Sequence, residues 1–236
     1  MYKLADPHQP IQTGVIALYS FVAFLLVMAV AIHHFTKIPF ATFTADPAAT
    51  FNYSPIYGYV SNIGILLWCS CASICFFSAA VLNIRRDQRS KVLFFLNFGI
   101  LTTLLMFDDL FMFHESIAPW YLNVPEKSVL ACYGLYALGC FYHFRKTVLV
   151  SDVKLLAIAA VAFGLSIVID QISERHYIPG EYLFEDGFKF IGIASWLAYF
   201  MQYSFSQISA NIMSSAFTDQ PKIRRPKVDL TQFMNN

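Results

Sequence analysis

Residues 92–113 read VLFFLNFGILTTLLMFDDLFMF, and His114 and Glu115 follow directly. The run is long enough to cross the hydrocarbon core of a bilayer, which is about 30 Å thick and needs roughly 20 residues of helix. Near its end, however, it carries Asp108 and Asp109. Ionisable groups inside a bilayer are costly, so they tend to face the protein interior and mark a functional site. This stretch therefore predicts a membrane-spanning helix with a functional site near one end.

The composition places the whole chain in the membrane class. Of its 236 residues, 57% are hydrophobic and 13% are charged, and the mean hydropathy is +0.54. Soluble domains carry about 25% charged residues. The formal net charge of +1 argues against a nucleic-acid partner. Membrane lipids, and other membrane subunits as an alternative, are the partners that this composition predicts.

Six apolar segments are each long enough to span the membrane. The fold class predicted is therefore all-α: a polytopic membrane protein with a bundle of six transmembrane helices. Residues 1–208 form a single transmembrane domain, and residues 209–236 form a polar cytoplasmic tail. The predicted spans are residues 14–34, 58–83, 92–113, 128–147, 153–174 and 186–208.

Lysine and arginine are distributed unevenly along the alternating path of these spans. Most of them fall on one side, which the positive-inside rule assigns to the cytoplasm together with both termini. We expect a multi-pass protein of the plasma (inner) membrane. The cytoplasmic side collects Lys3, Arg85, Arg86, Arg89, Lys91, Arg145, Lys146, Lys154, Lys222, Arg224, Arg225 and Lys227, whereas the opposite side holds Lys37, Lys127, Arg175 and Lys189.

Carboxylates and histidines collect on the opposite, non-cytoplasmic side, and they define the predicted site. At 1.5 Å per residue, Asp108 lies about 25 Å from the cytoplasmic end of its span, roughly 5 Å below the outer boundary. The predicted catalytic residues are Asp108, Glu115 and Asp170. The predicted metal ligands are Asp108, His114, Glu115, Asp170, Glu174 and His176, and the predicted supporting residues are Asp109, His33, His34, Glu185 and Lys189.

Helical geometry sorts these residues into faces. On a continuous helix Asp108 and Glu115 share a face, while Asp109 and His114 lie about 100–120° to either side. They can all bind one ion only if the helix unwinds near its end. In the fifth span, Asp170 and Glu174 lie on one face. At the start of the sixth, the spacing of Glu185 and Lys189 predicts a helical ion pair.

The combination of carboxylate and imidazole predicts a divalent metal, namely zinc, iron or manganese. So many acids would repel one another unless they were paired, protonated or metal-bound, and only Arg175 and Lys189 are local cations. We interpret the chain as a metal-dependent enzyme that acts on a lipid or small apolar substrate at the outer interface, with a carboxylate as general base. The alternatives are a non-catalytic subunit of a larger membrane complex and, less favoured, a cation or proton carrier.

Overall fold

A computed structural model describes residues 9–54, 56–84, 88–173 and 180–218. All regular secondary structure in these residues is helical, as the sequence predicts. In chain order the helices are α1 Gln9–Thr36, α2 Ala41–Thr44, α3 Pro47–Phe51, α4 Tyr59–Asn83, α5 Arg89–Phe111, a π-helical turn Phe113–Ile117, α6 Ala118–Leu122, α7 Glu126–His143, α8 Arg145–Val150, α9 Lys154–Ser173 and α10 Glu181–Thr218.

Four helices of the described residues are long and apolar enough to cross a membrane: Leu18–Thr36 within α1, then α4, α5 and α9. They correspond to the first, second, third and fifth predicted spans. Helices α7 and α10, which correspond to the fourth and sixth predicted spans, are not among them.

Three differences between the predicted boundaries and the helices affect the ends of the spans most. Helix α5 ends before residue 113, and the predicted fourth span is divided where α7 stops at His143 and α8 starts at Arg145. Helix α10 continues past residue 208 into the predicted tail, as far as Thr218. The remainder of that tail lies outside the described residues.

Helices α4, α5, α9 and α10 make the most extensive contacts, and α7 packs on α5. The centre of the bundle is aromatic: Phe94, Phe95, Phe98 and Phe200 are fully buried. Because lipid tails are as apolar as these rings, the rings stabilise a membrane bundle through close packing and not through burial of apolar area. Helix α1 differs, since none of its 18-residue apolar window is buried within the chain.

Helices α5 and α10 run antiparallel, as their side-chain contacts show. Lys189 reaches Asp109, Trp196 donates a hydrogen bond to Thr102 at 3.1 Å, and the Phe200 ring lies 5.2 Å from that of Phe98. Residue numbers along α10 thus rise as those of their partners on α5 fall. This antiparallel register places Asp108, Asp109 and Lys189 at one end of the bundle, here called the acidic end. The opposite end, with Lys91 and Lys146, is called the basic end.

Glycine at position 192 allows α9 and α10 to approach closely. A Cβ atom on Gly192 would lie 2.7 Å from the ring of Phe163. That ring cannot move freely because it is stacked on Trp68, with centroids 5.7 Å apart and planes 8° apart. The absence of a side chain at position 192 is therefore a packing requirement of the three-helix contact between α4, α9 and α10.

We expect Gly192→Ala to destabilise the protein relative to Gly187→Ala. Both changes place alanine in α10 and gain the same helix propensity, about 1 kcal/mol. Only Gly192 meets a neighbour, because a Cβ at Gly187 has nothing within 4 Å. Overpacking of this kind costs about 1–3 kcal/mol. The measurement is thermal unfolding in detergent, followed by tryptophan fluorescence, and equal melting temperatures for the two variants would refute the packing argument.

Candidate functional site

The site is created by a break in the chain directly after α5. Met112 adopts the left-handed conformation (φ 48°), and its N–H bonds the carbonyl of Asp108. A non-glycine residue in this conformation is uncommon and turns the chain sharply. The next residues form a π-helical turn, Phe113–Ile117, a form found frequently at functional sites. The regular α-helix therefore ends before His114. From the helical spacing we expected Asp108 and His114 to meet only if the helix unwound at this point.

Asp108 accepts hydrogen bonds from three donors. Its Oδ2 lies 2.5 Å from Nδ1 of His114, and its Oδ1 accepts from the backbone N–H of His114 at 3.0 Å and from the Tyr133 hydroxyl at 3.1 Å. The carboxylate is buried, with 6% of the residue exposed. Charge-assisted hydrogen bonds of this kind are about twice as strong as neutral ones. Asp108 therefore fixes the position and orientation of the His114 ring and ties the turn to α7.

His114 keeps its second ring nitrogen for other chemistry. Nε2 lies 3.5 Å from Oε1 of Glu115, whose side chain is 54% exposed, whereas the His114 side chain is 15% exposed. Burial lowers the pKa of His114, but the hydrogen bond and charge of Asp108, with smaller contributions from Glu115 and Glu126, outweigh it and raise that pKa above its ordinary value. The ring is therefore an oriented imidazole whose protonated form is stabilised by Asp108.

Asp109 is turned the other way and pairs with the last helix. Its Oδ1 lies 2.5 Å from Nζ of Lys189, and the Asp109 side chain is only 8% exposed. The predicted partner of Lys189 was Glu185; the structure replaces that local pair with one between helices. The other oxygen, Oδ2, is buried without a hydrogen-bond partner. Asp109 also lines a small, partly open pocket of about 10 Å³ together with Ser61 and Asp186, which is the size of a single water.

The other predicted acids of the site lie on α9 and α10. Asp170 is half-buried, and its carboxylate accepts from the side chain of Gln171 at 3.2 Å. Burial, followed by the negative charges of Asp170 and Asp186, raises the pKa of Glu185. Asp170 and Glu185 thus share one acidic neighbourhood, and the charge of Glu115 also acts on Glu185. Two predicted ligands, Glu174 and His176, lie outside the described residues.

The two histidines predicted as supporting groups are engaged locally. Nδ1 of His33 donates to the carbonyl of Ile38 at 2.6 Å, and its ring is stacked on Phe40 with centroids 4.0 Å apart. His34 meets the neighbouring Phe35 edge-on. These contacts shape the end of α1 and give neither histidine a part in the Asp108 arrangement.

The predicted metal ligands do not converge in the part of the chain that the structure describes. Among the described residues, no group of three or more histidine, cysteine, aspartate and glutamate side chains is arranged to hold a metal ion. What the structure does bring together is an Asp108–His114 pair with Glu115 beside it.

Two contributors to the site were not predicted. Tyr133 is the third donor to Asp108, and Met112 provides the break that brings His114 to it. Tyr133 is one of several tyrosines in the predicted fourth span, and nothing in the neighbouring sequence distinguishes it from the others. Methionine is not a residue that ordinarily indicates a left-handed turn. Neither contribution therefore had a signal in the sequence.

Fold and site together define an all-helical protein with four helices suited to crossing a membrane and a buried Asp–His pair at one end of its bundle. The chain belongs to the family described as "Domain of unknown function (DUF8692)", whose model matches residues 18–203. No curated protein and no solved structure matches the chain. The matched region contains α4, α5, α7 and α9, the Asp108–His114 pair and Lys189.

The Asp108–His114 pair should make stability depend on pH. The pKa of His114 is raised in the folded state above an unfolded value of about 6.5. The contribution of the pair is therefore complete below about pH 6.5 and is lost as the pH rises through the folded-state pKa. We expect His114→Gln to cost about 1–3 kcal/mol at low pH and progressively less at alkaline pH, measured by thermal unfolding across the pH range.

The matched control is His34→Gln, which removes an exposed histidine whose ring contact is with Phe35. The pH dependence measured for this control is subtracted from that of His114→Gln, so that the remainder belongs to the Asp108–His114 pair. If the difference between wild type and His114→Gln were constant from acid to alkaline pH, the histidine would not be charged in the folded pair.

Proposed function

We propose that the chain crosses the membrane six times, with both termini in the cytoplasm and the acidic end of the bundle outside. The support comes from α7, whose contacts with α5 extend from Asp108 to Phe94. Tyr133 contacts Asp108, Tyr136 lies near the carbonyl of Asn97, and Phe144 meets Phe94 at the basic end. An 18-residue helix rises about 27 Å, close to the thickness of the hydrocarbon core.

The order in which the chain connects α5, α7, α9 and α10 also supports six crossings. Helix α5 ends at the acidic end, and the Ser151 hydroxyl just before α9 lies 2.9 Å from that of Tyr199, far from the acidic end of α10. The chain therefore has to return along α7 before α9 begins. Helix α10 then runs antiparallel to α5. The excess of lysine and arginine at the basic end assigns that end to the cytoplasm.

We expect cysteine labelling to place the two ends of α7 on opposite sides of the membrane. In a chain whose native cysteines are replaced, Asn123→Cys should react with an impermeant maleimide in intact cells. Asp152→Cys and Gln88→Cys should react only after the membrane is opened. Labelling of positions 123 and 152 from the same side would show that α7 does not cross, and labelling of position 88 from outside would invert the topology.

We further propose that the acidic end is the active site of an enzyme, with His114 as its general acid and base. The single observation that carries this proposal is the Asp108–His114 pair. Asp108 holds Nδ1 as the hydrogen-bond donor, which leaves Nε2 as the basic atom when the ring is neutral. A histidine oriented in this way by a carboxylate can take a proton from water or a substrate hydroxyl and return it to a leaving group.

The surroundings favour a lipid or a small apolar substrate. The Phe107 and Phe111 rings are stacked and partly exposed on α5, and Trp120 and Tyr121 on α6 are each 81% exposed. Tryptophan and tyrosine favour the boundary between hydrocarbon and headgroups. A molecule dissolved in the outer leaflet would therefore meet aromatic side chains on its way to His114, and its polar group would lie at the depth of the carboxylates.

We also propose that a divalent metal binds beside the Asp108–His114 pair. A metal-bound histidine almost always donates its other ring N–H to a carboxylate or a carbonyl, which is the relation that His114 has to Asp108. Nε2 and the Glu115 carboxylate would then be the first ligands, and Glu174 or His176 would have to supply others. In this form the metal would activate water, and Asp108 would orient a ligand instead of binding the ion.

Helix α1 favours a second candidate, a subunit of a larger membrane complex. Its apolar surface is unburied within the chain, with side chains such as Leu26 and Val27 about two-thirds exposed. Lipid can cover such a surface, and so can a helix of another subunit. On this alternative, Asp108 and Asp109 would be structural ion pairs only.

We expect wild-type protein in lipid nanodiscs containing a mixed lipid extract to generate a new lipid product over time, detected by mass spectrometry. His114→Gln should lower the rate by about 100-fold or more, the usual contribution of general acid–base catalysis. Asp108→Asn should lower it less, because the ring remains but loses its orientation. His34→Gln, on the same side of the membrane, should have the wild-type rate.

A chelator in the same assay separates the two forms of the proposal. Loss of activity with chelator, restored by zinc, iron or manganese, would support the metal-dependent form; full activity would support the pair alone. An inactive wild type that copurifies with a stoichiometric membrane partner would favour the subunit alternative. Equal activity of wild type and His114→Gln would exclude His114 as the catalytic base.

A further inference from the structure

An open cleft lies at the basic end of the bundle, well away from the Asp108 site. Its volume is about 640 Å³, and it lies between the start of α5, the segment from α8 to α9, and the second half of α10. Lys91, which lines it, and Asp108 lie on the same helix and are separated by about 25 Å along its axis. The cleft is therefore independent of the site proposed above.

The polar part of the cleft lining includes two positive charges and several hydrogen-bond donors. Lys91 and Lys146 contribute two ammonium groups, and Ser90, Thr147 and Gln202 contribute hydroxyl and amide groups. An ammonium group has three donors and no acceptor, so it binds anionic oxygen. The acid that lines the cleft, Asp152, already accepts the backbone N–H of Lys154 at 3.2 Å.

The walls of the cleft are held in place by contacts within the chain. The hydroxyls of Ser151 and Tyr199 lie 2.9 Å apart and tie the α8–α9 connection to α10. The Tyr203 ring is stacked on that of Tyr199, with centroids 5.9 Å apart and parallel planes. The volume also falls within the range of about 300–1,000 Å³ that small-molecule sites occupy.

One border of the cleft is apolar and exposed. Val150 lines the cleft and is 91% exposed, and the preceding Leu149 is 74% exposed. Both lie at the end of α8, beside the polar groups. A ligand with a charged head and a hydrocarbon part fits this combination, because its head can meet the lysines while its chains lie along the leucine and valine. A free phosphate ion would leave the apolar border uncovered.

We propose that this cleft binds the phosphate-bearing headgroup of an anionic phospholipid from the leaflet at the basic end of the bundle. The phosphate lies between Lys91 and Lys146, with the neighbouring hydroxyl groups as donors, and the acyl chains run past Val150. Basic pockets between membrane helices on the cytoplasmic side are suited to such headgroups.

The test uses the full chain in phosphatidylcholine nanodiscs that contain a minor fraction of phosphatidylglycerol. Lipids retained after gentle extraction are counted by native mass spectrometry. We expect wild type to retain phosphatidylglycerol and Lys91→Gln/Lys146→Gln to bind it about tenfold more weakly, since each basic side chain near the surface contributes a few-fold. The matched control is Lys37→Gln/Lys127→Gln, which removes two lysines outside the cleft and should bind like wild type.

Two further measurements test the proposal: a charge-conserving arginine variant and competition by inorganic phosphate. Lys91→Arg/Lys146→Arg keeps both charges and should retain the lipid, which separates loss of binding from misfolding of the glutamine variant. Inorganic phosphate in excess should neither displace phosphatidylglycerol nor stabilise the protein in pure phosphatidylcholine. If phosphate does both, the cleft binds a soluble anion instead of a lipid. Equal lipid retention by wild type and the glutamine variant would also overturn the proposal.

Discussion

Two adjacent carboxylates in an apolar helix are the constraint on which the acidic end of the bundle depends. Successive side chains of a helix point about 100° apart, so Asp108 and Asp109 cannot share a partner. Each therefore needs donors from a different direction, because a buried, unpaired carboxylate costs several kcal/mol. Asp108 finds them in the turn that follows its own helix and in α7; Asp109 finds Lys189 on α10. Two neighbouring charges thus determine how three separate segments meet.

The Asp109–Lys189 pair also has a consequence for the helix register. Thr102 and Trp196 form the next polar contact towards the middle of the bundle, seven residues along each helix from that ion pair. Both contacts are satisfied only when α5 and α10 are antiparallel and in one alignment. Hydrogen bonds and ion pairs have short reach, so a shift by one helical turn would break both. The aromatic contacts around Phe98 and Phe200 follow from that alignment. They add close packing between the helices but do not determine the alignment.

The fold could be predicted from sequence wherever a local pattern decides it. The long apolar segments predicted an all-helical chain, and α1, α4, α5 and α9 have the length and apolar composition expected of them. The site was less accessible, because two of its decisive contacts are not local. On a regular helical wheel His114 lies away from Asp108, and only the left-handed Met112 brings it back. The spacing of Glu185 and Lys189 predicted a pair that Asp109, distant in sequence, replaces. Charge patterns thus located the acidic end, whereas the partners depended on tertiary packing.

The buried aromatic middle of the bundle can be compared with what a cation or proton carrier requires, the third function considered from the sequence. A carrier needs polar groups or water that continue from one side to the other. Between the acidic end and the cleft, the described core is filled by Phe94, Phe95, Phe98 and Phe200, all fully buried. The Thr102 hydroxyl there is engaged in two hydrogen bonds, from Trp196 and to the carbonyl of Phe98. A proton bound at His114 therefore meets a layer of buried aromatic side chains in the direction of the basic end. The geometry favours exchange with the side on which it is bound, which is what a catalytic acid–base pair requires and a carrier does not.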